Sequence, residues 1–262
     1  MKYRILLFSL LLLGILSLQN AVAQTIKVGV HGGVLFTNLN VAPTDVEEPE
    51  WKTQTSYQIT VPVEIGLQGI FAIQPEMMYG TNGAQFNQTV NITEGGPSDQ
   101  VTVTRHKEGW IRIQNLEIPV LAKVRFGSKN FNMHLLAGPA VGFGLSGKSR
   151  NIYMAKVTRA DGVVTSEYME DNTSDVVFEK DGYNAQDLTG TQRAVIRTSM
   201  NLHFGGGLDL NFGKMTAFLD GRYIFGLSDL FPEPEDAAAA EVLTAKSRRV
   251  GVSVGVLFAL KG

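Results

Sequence analysis

The sequence contains no cysteine. That excludes disulfides, thiolate metal sites, a catalytic thiol and the lipid-bearing cysteine of a bacterial lipoprotein. Charge of one sign is also lacking: the formal net charge at pH 7 is -2, which gives no electrostatic reason to expect a nucleic-acid partner. Long apolar runs are missing too. The longest, Ile5 to Leu18, has about 14 residues, where a spanning helix needs about 20. It follows a basic "MKYR" and precedes "AVA" at Ala21 to Ala23, the pattern of a secretory signal cleaved after Ala23. The expected organisation is a signal peptide over 1–23 and one domain over 24–262. With no later apolar run, that domain can span a membrane only as a closed β-barrel, because only helices and closed barrels satisfy their backbone groups in lipid.

What is present after Gln24 is alternation. "GLDLNFGKMTAFLDGRY" (Gly207 to Tyr223) alternates on both sides of Gly213-Lys214 and predicts a β-hairpin. The same two-residue period runs through "TIKVGVHGGVLFTN", "SYQITVPVEIGLQ", "IFAIQPEMMYG", "IQNLEIPVLAKVRF", "FNMHLLAGPAVGFGLSGK" and "SRRVGVSVGVLFAL". With the hairpin these make eight strands. Ile111 and Ile113 fall out of phase with Leu116, Ile118 and Val120, so a bulge or register change is expected near Gln114 and Asn115.

Connections alternate in length. Tight turns are expected around Gly69, at Gly127 to Asn130 and at Gly213-Lys214; long polar loops are expected over 38–55, 87–108, 148–192 and 228–246. Short turns on one rim and long loops on the other is the habit of outer-membrane barrels. One strand face collects Lys27, Lys123, Arg125, Arg222 and Arg249 with Glu64, Glu76, Glu117, Asp209 and Asp220. The other carries almost no ionisable group. A charge against lipid costs about 2–4 kcal/mol at the midplane, so the charged face belongs inside. Gly142, Gly144, Gly205, Gly207, Gly251 and Gly255 share that face and suit a cramped lumen. On the apolar face Phe71, Phe131, Phe212 and Phe258 lie near the short turns, while Phe36, Tyr57, Tyr79, Phe143, Phe204, Tyr223 and Phe225 lie further up. Two aromatic girdles bracketing a bilayer have this arrangement. The expected fold is all-β, an eight-stranded antiparallel up-and-down transmembrane β-barrel located in the outer membrane.

The stretches "FAIQPEMMYGTNGAQF", "NLEIPVLAKVRFG", "HLLAGPAVGFGLSGK" and "LDGRYIFGLSDL" resemble the PorT-like outer-membrane β-barrel family of the Bacteroidetes. The resemblance covers nearly all of the chain after the signal, in order. It implies an eight-stranded outer-membrane barrel and, through the family's namesake, a link to assembly of the type IX protein-secretion system. In this chain Phe258 is followed by "ALKG", a departure from the common terminal-phenylalanine barrel signal.

Candidate chemistry is sparse. His31, His134 and His203 fall on the lumen face at different heights without ligand partners at i+2 or i+4, and are expected to be isolated hydrogen-bonders with no metal. No serine is paired with a histidine and a third orienting group, so no enzyme is expected. No cofactor is expected either. Acidic residues Asp45, Glu47, Glu48, Glu50, Glu233, Glu235, Asp236 and Glu241 match no calcium-loop template and are expected to be a solvated surface. "EDAAAAEVLTAK" contains strong helix formers and is expected to form a short surface helix. Inside the barrel, Arg222 and Arg249 are expected to pair with Glu76 or Glu117, since charges in a narrow lumen need partners. The longest loop alternates in "NIYMAKVTR" and "GVVTSEYME" around Ala160-Asp161-Gly162, which predicts a β-ribbon above the membrane. Its Tyr153, Met154, Val163 and Tyr168 are the expected partner-binding residues.

The functional expectation is a monomeric small barrel with a filled lumen, surrounded by outer-membrane lipid. It would meet an unidentified protein through its long loops or periplasmic turns, with a role in protein secretion or envelope assembly. A small pore or transporter and a soluble lipocalin-like periplasmic binder are the alternatives.

Overall fold

In a computed structural model of the chain, the described residues are 25–41, 49–94, 100–179, 194–231 and 245–261. The expected signal peptide lies outside them. So do the acidic loop residues other than Glu50, and residues 235–244 of the expected helix; Ala245 and Lys246 begin a strand instead.

The strands in chain order are β1 (Thr25–Val41), β2 (Glu50–Lys52), β3 (Gln54–Gly66), β4 (Phe71–Glu94), β5 (Val101–Gly127), β6 (Phe131–Arg159), β7 (Val164–Asp175), β8 (Val177–Glu179), β9 (Ala194–Ile196), β10 (Thr198–Phe212), β11 (Met215–Gly226) and β12 (Ala245–Lys261). Eight of them close a ring, β1-β3-β4-β5-β6-β10-β11-β12, in which every neighbour is antiparallel and β12 returns to β1. Closure leaves no unpaired edge within the ring, which is what a bilayer demands of a sheet. Tight turns join β3 to β4, β5 to β6 and β10 to β11. Gly69 (φ 71°) and Gly213 (φ 66°) take the left-handed backbone that the first and third of these turns require.

The alternation decides the two faces. Along β11, Thr216, Phe218, Asp220, Arg222 and Ile224 are buried inward, and Leu219 and Tyr223 are exposed outward. All four lower phenylalanines point outward, as do Phe36, Tyr57, Tyr79, Phe143, Phe204 and Tyr223. The lumen is cramped enough for glycine to matter. A Cβ on Gly207 would lie 2.7 Å from Cε1 of His134, and one on Gly144 would lie 2.3 Å from Cε1 of Phe178.

One strand expectation needs correction. The segments 87–108 and 148–192 are not loops throughout. β4 continues to Glu94, β5 starts at Val101 and β6 runs to Arg159, because Thr- and Val-rich stretches such as "QTVNIT" and "VTVTRH" have high β-propensity even when neither face is apolar. The register change expected near Gln114 and Asn115 is present, with the extra residue on the partner strand. Gln114 pairs with Ser146 and Asn115 with Gly144, leaving Leu145 unmatched on β6. β5 keeps its parity, and Ile111 and Ile113 point inward beside Asn115 and Glu117.

Candidate functional site

Three regions follow from this framework: a charged lumen, an apolar plug above it, and a sheet that rises out of the barrel.

In the lower lumen Glu64 is the hub. Lys123 Nζ lies 2.9 Å from Glu64 Oε2, and Arg125 donates from Nη1 to Glu64 Oε1 at 2.7 Å. Asp209 joins through Lys123 at 3.7 Å and through His134, whose Nδ1 is 2.9 Å from Asp209 Oδ1. Above this, Arg222 donates from Nη1 to Glu76 Oε2 at 2.6 Å and from Nη2 to Glu76 Oε1 at 3.1 Å, and also reaches Asp220 on its own strand. Gln74 donates to Glu76 at 2.7 Å. Higher again, Glu117 accepts from Arg249 at 2.9 Å and from Asn201 at 3.0 Å, with His203 Nε2 at 2.7 Å. The structure therefore brings Glu76, Glu117, Arg222 and Arg249 together as two pairs, each on strands far apart in sequence. Every one of these side chains is nearly inaccessible to solvent. The lower hub of Glu64, Lys123, Asp209 and His134 stands beside those four as an equal member. Its signal was the same inward parity, but parity gives no height, and height decides which charges meet.

The three lumen histidines have separate partners: Ser253 for His31 at 3.0 Å, Asp209 for His134 and Glu117 for His203. Among the described residues no group of three or more His, Cys, Asp or Glu side chains is placed to hold a metal ion.

Above Glu117 the interior turns apolar. Leu39, Ala84, Ile111 and Ile113 on the barrel wall pack with Val176, Val195 and Leu230 from the connections, with Trp51 and Phe178 at the periphery. β8 and β9 form a short parallel pair that supplies Phe178 and Val195 to this plug. Phe178 sits against Gly144, and the Arg197 guanidinium lies 5.1 Å from its ring centroid.

Outside the barrel, β4, β5, β6 and β7 continue as one antiparallel sheet, from Glu94↔Val101 and Val101↔Arg159 down to Lys148↔Asp175. The ribbon at Ala160 to Gly162 is therefore one hairpin of a four-stranded sheet, with β5 covering the far side of β6. β7 ends the sheet, and no strand lies on its outer side among the described residues. Tyr168 (52 % exposed) and Met169 (62 %) stand on β7, with Val163 and Val164 exposed at its start. Tyr153 contacts Tyr168, ring centroids 6.3 Å apart, while Met154 faces Met169 on the opposite side of the sheet. Tyr153, Met154, Val163 and Tyr168 thus share the hairpin without forming one patch: Tyr153 and Tyr168 on one face, Met154 on the other.

Arg150 donates to Asp171 from Nε at 2.9 Å and from Nη2 at 2.6 Å, a bidentate pair on the solvent side of β6 and β7. That hydrogen bonding holds the Asp171 carboxyl below its ordinary range and the Arg150 guanidinium above its own.

The chain has similarity to the solved structure of Ail, the attachment invasion locus protein of Yersinia pestis (12 % identity, 89 % of this chain and 99 % of that one, TM-score 0.33). Neisserial surface protein A (9 %, 88 % and 96 %, TM-score 0.36) and the outer membrane protease OmpT of Escherichia coli (6 %, 92 % and 98 %, TM-score 0.33) are also similar. No curated protein matches the chain. A family model does: residues 21–232 match the outer membrane protein beta-barrel domain. The ring of eight strands and this match together make the chain a member of the outer membrane protein β-barrel domain family, located in the outer membrane.

Proposed function

We propose that this chain is a non-enzymatic interaction protein whose closed barrel anchors an extracellular sheet, and that β7 recruits an extended strand of another protein. The observation that carries the reading is the outer edge of β7, which no strand covers among the described residues. Val176 donates to Gly147 at 2.9 Å, so in the antiparallel alternation Ser174, Asn172, Glu170 and Tyr168 bond to β6. Glu167, Met169 and Asp171 then turn their N–H and C=O groups to the outer side. Such an edge is a template for strand addition. The partner's chemistry follows from charge: Val164–Asp175 carries Glu167, Glu170, Asp171 and Asp175 and no lysine or arginine. A second β7 would set acids against acids, whereas a basic strand would complement them.

A filled lumen supports this reading over a pore. Ion pairs occupy the lower and middle levels and the apolar plug the top, as an eight-stranded interior has room for little beyond side chains. Within the family we assign the chain to the PorT-like branch, with a role in protein secretion or envelope assembly.

The test is a photo-crosslinking residue at Met169 in intact cells. One discrete adduct with another envelope or surface protein is expected. Glu167→Pro, which removes an outward N–H without touching the β6 ladder, should abolish that adduct while the barrel keeps its heat-modifiable gel mobility. An adduct that survives Glu167→Pro, or no adduct at all, overturns strand addition.

A further inference from the structure

We infer that the outward surface of β5 and β6, just above the upper aromatic girdle, is a binding site for the phosphate of an outer-leaflet lipid, with Arg112 and Lys148 as its cationic ligands. The inference starts from the bulge. Below it, even-numbered residues of β6 face the lumen: His134, Leu136, Ala140, Gly142 and Gly144. The unmatched Leu145 shifts the phase, so that Gly147 and Ser149 face inward while Lys148 and Arg150 face outward. Without the extra residue Lys148 would point into the barrel mouth. A bulge that re-aims one side chain marks functional surface in many sheets.

The re-aimed lysine meets another cation. Lys148 is directly opposite Arg112, and like charges in that position repel. Arg150, two residues on, is neutralised by Asp171. Arg112 and Lys148 have no ion pair within the described residues; Asp175, opposite Lys148 on β7, makes none with it. Arg112 instead lies over the Trp110 ring, 4.5 Å from its centroid, an arrangement that holds the guanidinium in place. Two exposed cations set face to face, neither of them in an ion pair among the described residues, await an anion.

Their height identifies its source. Up the outward face of β5 and β6 the rows read Leu116 with Phe143, then Gln114 with Ser146, then Arg112 with Lys148, then Trp110 with Arg150. Phe143 and Tyr79 belong to the girdle, and Tyr79 pairs with Leu116. At about 3.3 Å per residue with strand tilt, Arg112 stands on the order of 10 Å above that row, in the headgroup layer. Ser146 donates to Gln114 Oε1 at 2.8 Å, which leaves the Gln114 amide N–H groups to support the same anion from below. Chain order thus runs from acyl-facing to amide to cation to indole, the sequence of environments a phosphorylated lipid presents.

The test uses the full chain purified in a zwitterionic detergent. Titration with diphosphoryl lipid A, with its enzymatically dephosphorylated form and with inorganic phosphate is followed by native mass spectrometry. Wild type should retain the phosphorylated lipid and release it on dephosphorylation. Arg112→Ala combined with Lys148→Ala should bind it roughly ten- to thirtyfold more weakly, from about fivefold per surface cation, with unchanged heat-modifiable mobility. Lys148→Arg should restore most of the loss in the Lys148→Ala single variant. Equal retention by the double variant, equal binding of the dephosphorylated lipid, or displacement by inorganic phosphate at the lipid's own concentration would each overturn the inference.

Discussion

The lower and upper halves of β5 have the same parity and opposite polarity. Below Asn115 the inward residues are Glu117, Pro119, Leu121, Lys123 and Arg125, three of the five charged, and the outward ones include Leu116, Ile118 and Val120, none of them charged. Above it the inward residues are Ile111 and Ile113, and the outward ones are Arg112 and Gln114. β1 does the same: Val34 and Phe36 face outward below, Asn38 above, with Leu39 buried inside. The backbone has not turned; the surroundings have. Lipid outside favours apolar residues outside. Once the strand enters water the ordinary rule of soluble sheets returns, and the apolar residues go inside. The barrel is thus inside-out in the membrane and right-side-out in its mouth.

The largest expected effect lies in the lower half. Removing Arg222 strands Glu76 and Asp220 in a closed lumen, and breaking a buried pair on one side costs about 3–5 kcal/mol. Arg222→Ala should lower the unfolding midpoint far more than Lys148→Ala, since Lys148 is exposed and makes no ion pair among the described residues. Denaturant titration in lipid bilayers measures both. Equal midpoints would mean that the lumen pairs contribute nothing to stability.

Next comes the outward face at two heights on one strand. Val254 is outward, 63 % exposed, and lies between the girdles, whereas Arg248 is an arginine already, lying over Phe225 at 3.6 Å near the upper girdle. Val254→Arg should block insertion or cost about 2–4 kcal/mol, the penalty for a charge near the midplane. Ser253→Arg should harm the protein differently, by crowding the His31 contact inside. If Val254→Arg inserts and unfolds like wild type, the outward face at that height is not against lipid.

The inversion also explains what the sequence could and could not convey. Strand parity, the three tight turns, the girdles and the inward charges were all legible, because each depends only on residues near one another in the chain. The register change near Gln114 and Asn115 was legible from Ile111 and Ile113, which lie on the opposite face from Leu116 and Ile118; that β5 itself keeps its parity was not, because the rule for inside and outside changes with the solvent. The true phase change, at Leu145 on β6, was hidden, since "GFGLSGK" alternates glycine with apolar residues and then has only small or polar residues to show a slip. Which charges pair was half legible. Arg222 and Arg249 as partners of glutamates follows from parity, but the Glu64 hub depends on the heights of β3, β5 and β10 relative to one another. Height is set by register around the ring, which no single strand encodes. Strand β7 was visible as a hairpin; its sheet with β4 and β5 was not, because Thr-rich segments have no apolar face to mark them.

Ile113 and Arg112 provide a sharper, smaller test within two adjacent residues. Ile113 is 1 % exposed inside the plug, so Ile113→Ala should cost about 2–3 kcal/mol through lost packing and the cavity left behind. Arg112→Ala, one residue away on the outside, should stay within about 0.5 kcal/mol of wild type in lipid-free detergent, as exposed substitutions do. If the order is reversed, the upper interior is not an apolar core and the inversion fails.

The smallest expected effect concerns the sheet that has left the barrel altogether. Arg150 and Asp171 are both solvent-exposed, so their bidentate pair is screened by water and salt. The sign is nonetheless fixed. Asp171 has a carboxyl pKa held down by the Arg150 hydrogen bonds, so the pair contributes fully above the unfolded carboxylate value near 3.9 and is lost as pH falls through the lower folded value. Hydrogen exchange in the β6–β7 hairpin should therefore quicken as pH falls below about 4, after correction for intrinsic rates, while the barrel strands stay protected. Asp171→Asn should remove the pH dependence and leave the hairpin at its acid-state exchange rate throughout. High salt should shrink the wild-type difference, because an exposed pair is screened where the buried Arg222–Glu76 pair is not. If the hairpin and the barrel lose protection together, the outer sheet is no separate unit, and the mouth and the membrane span unfold as one.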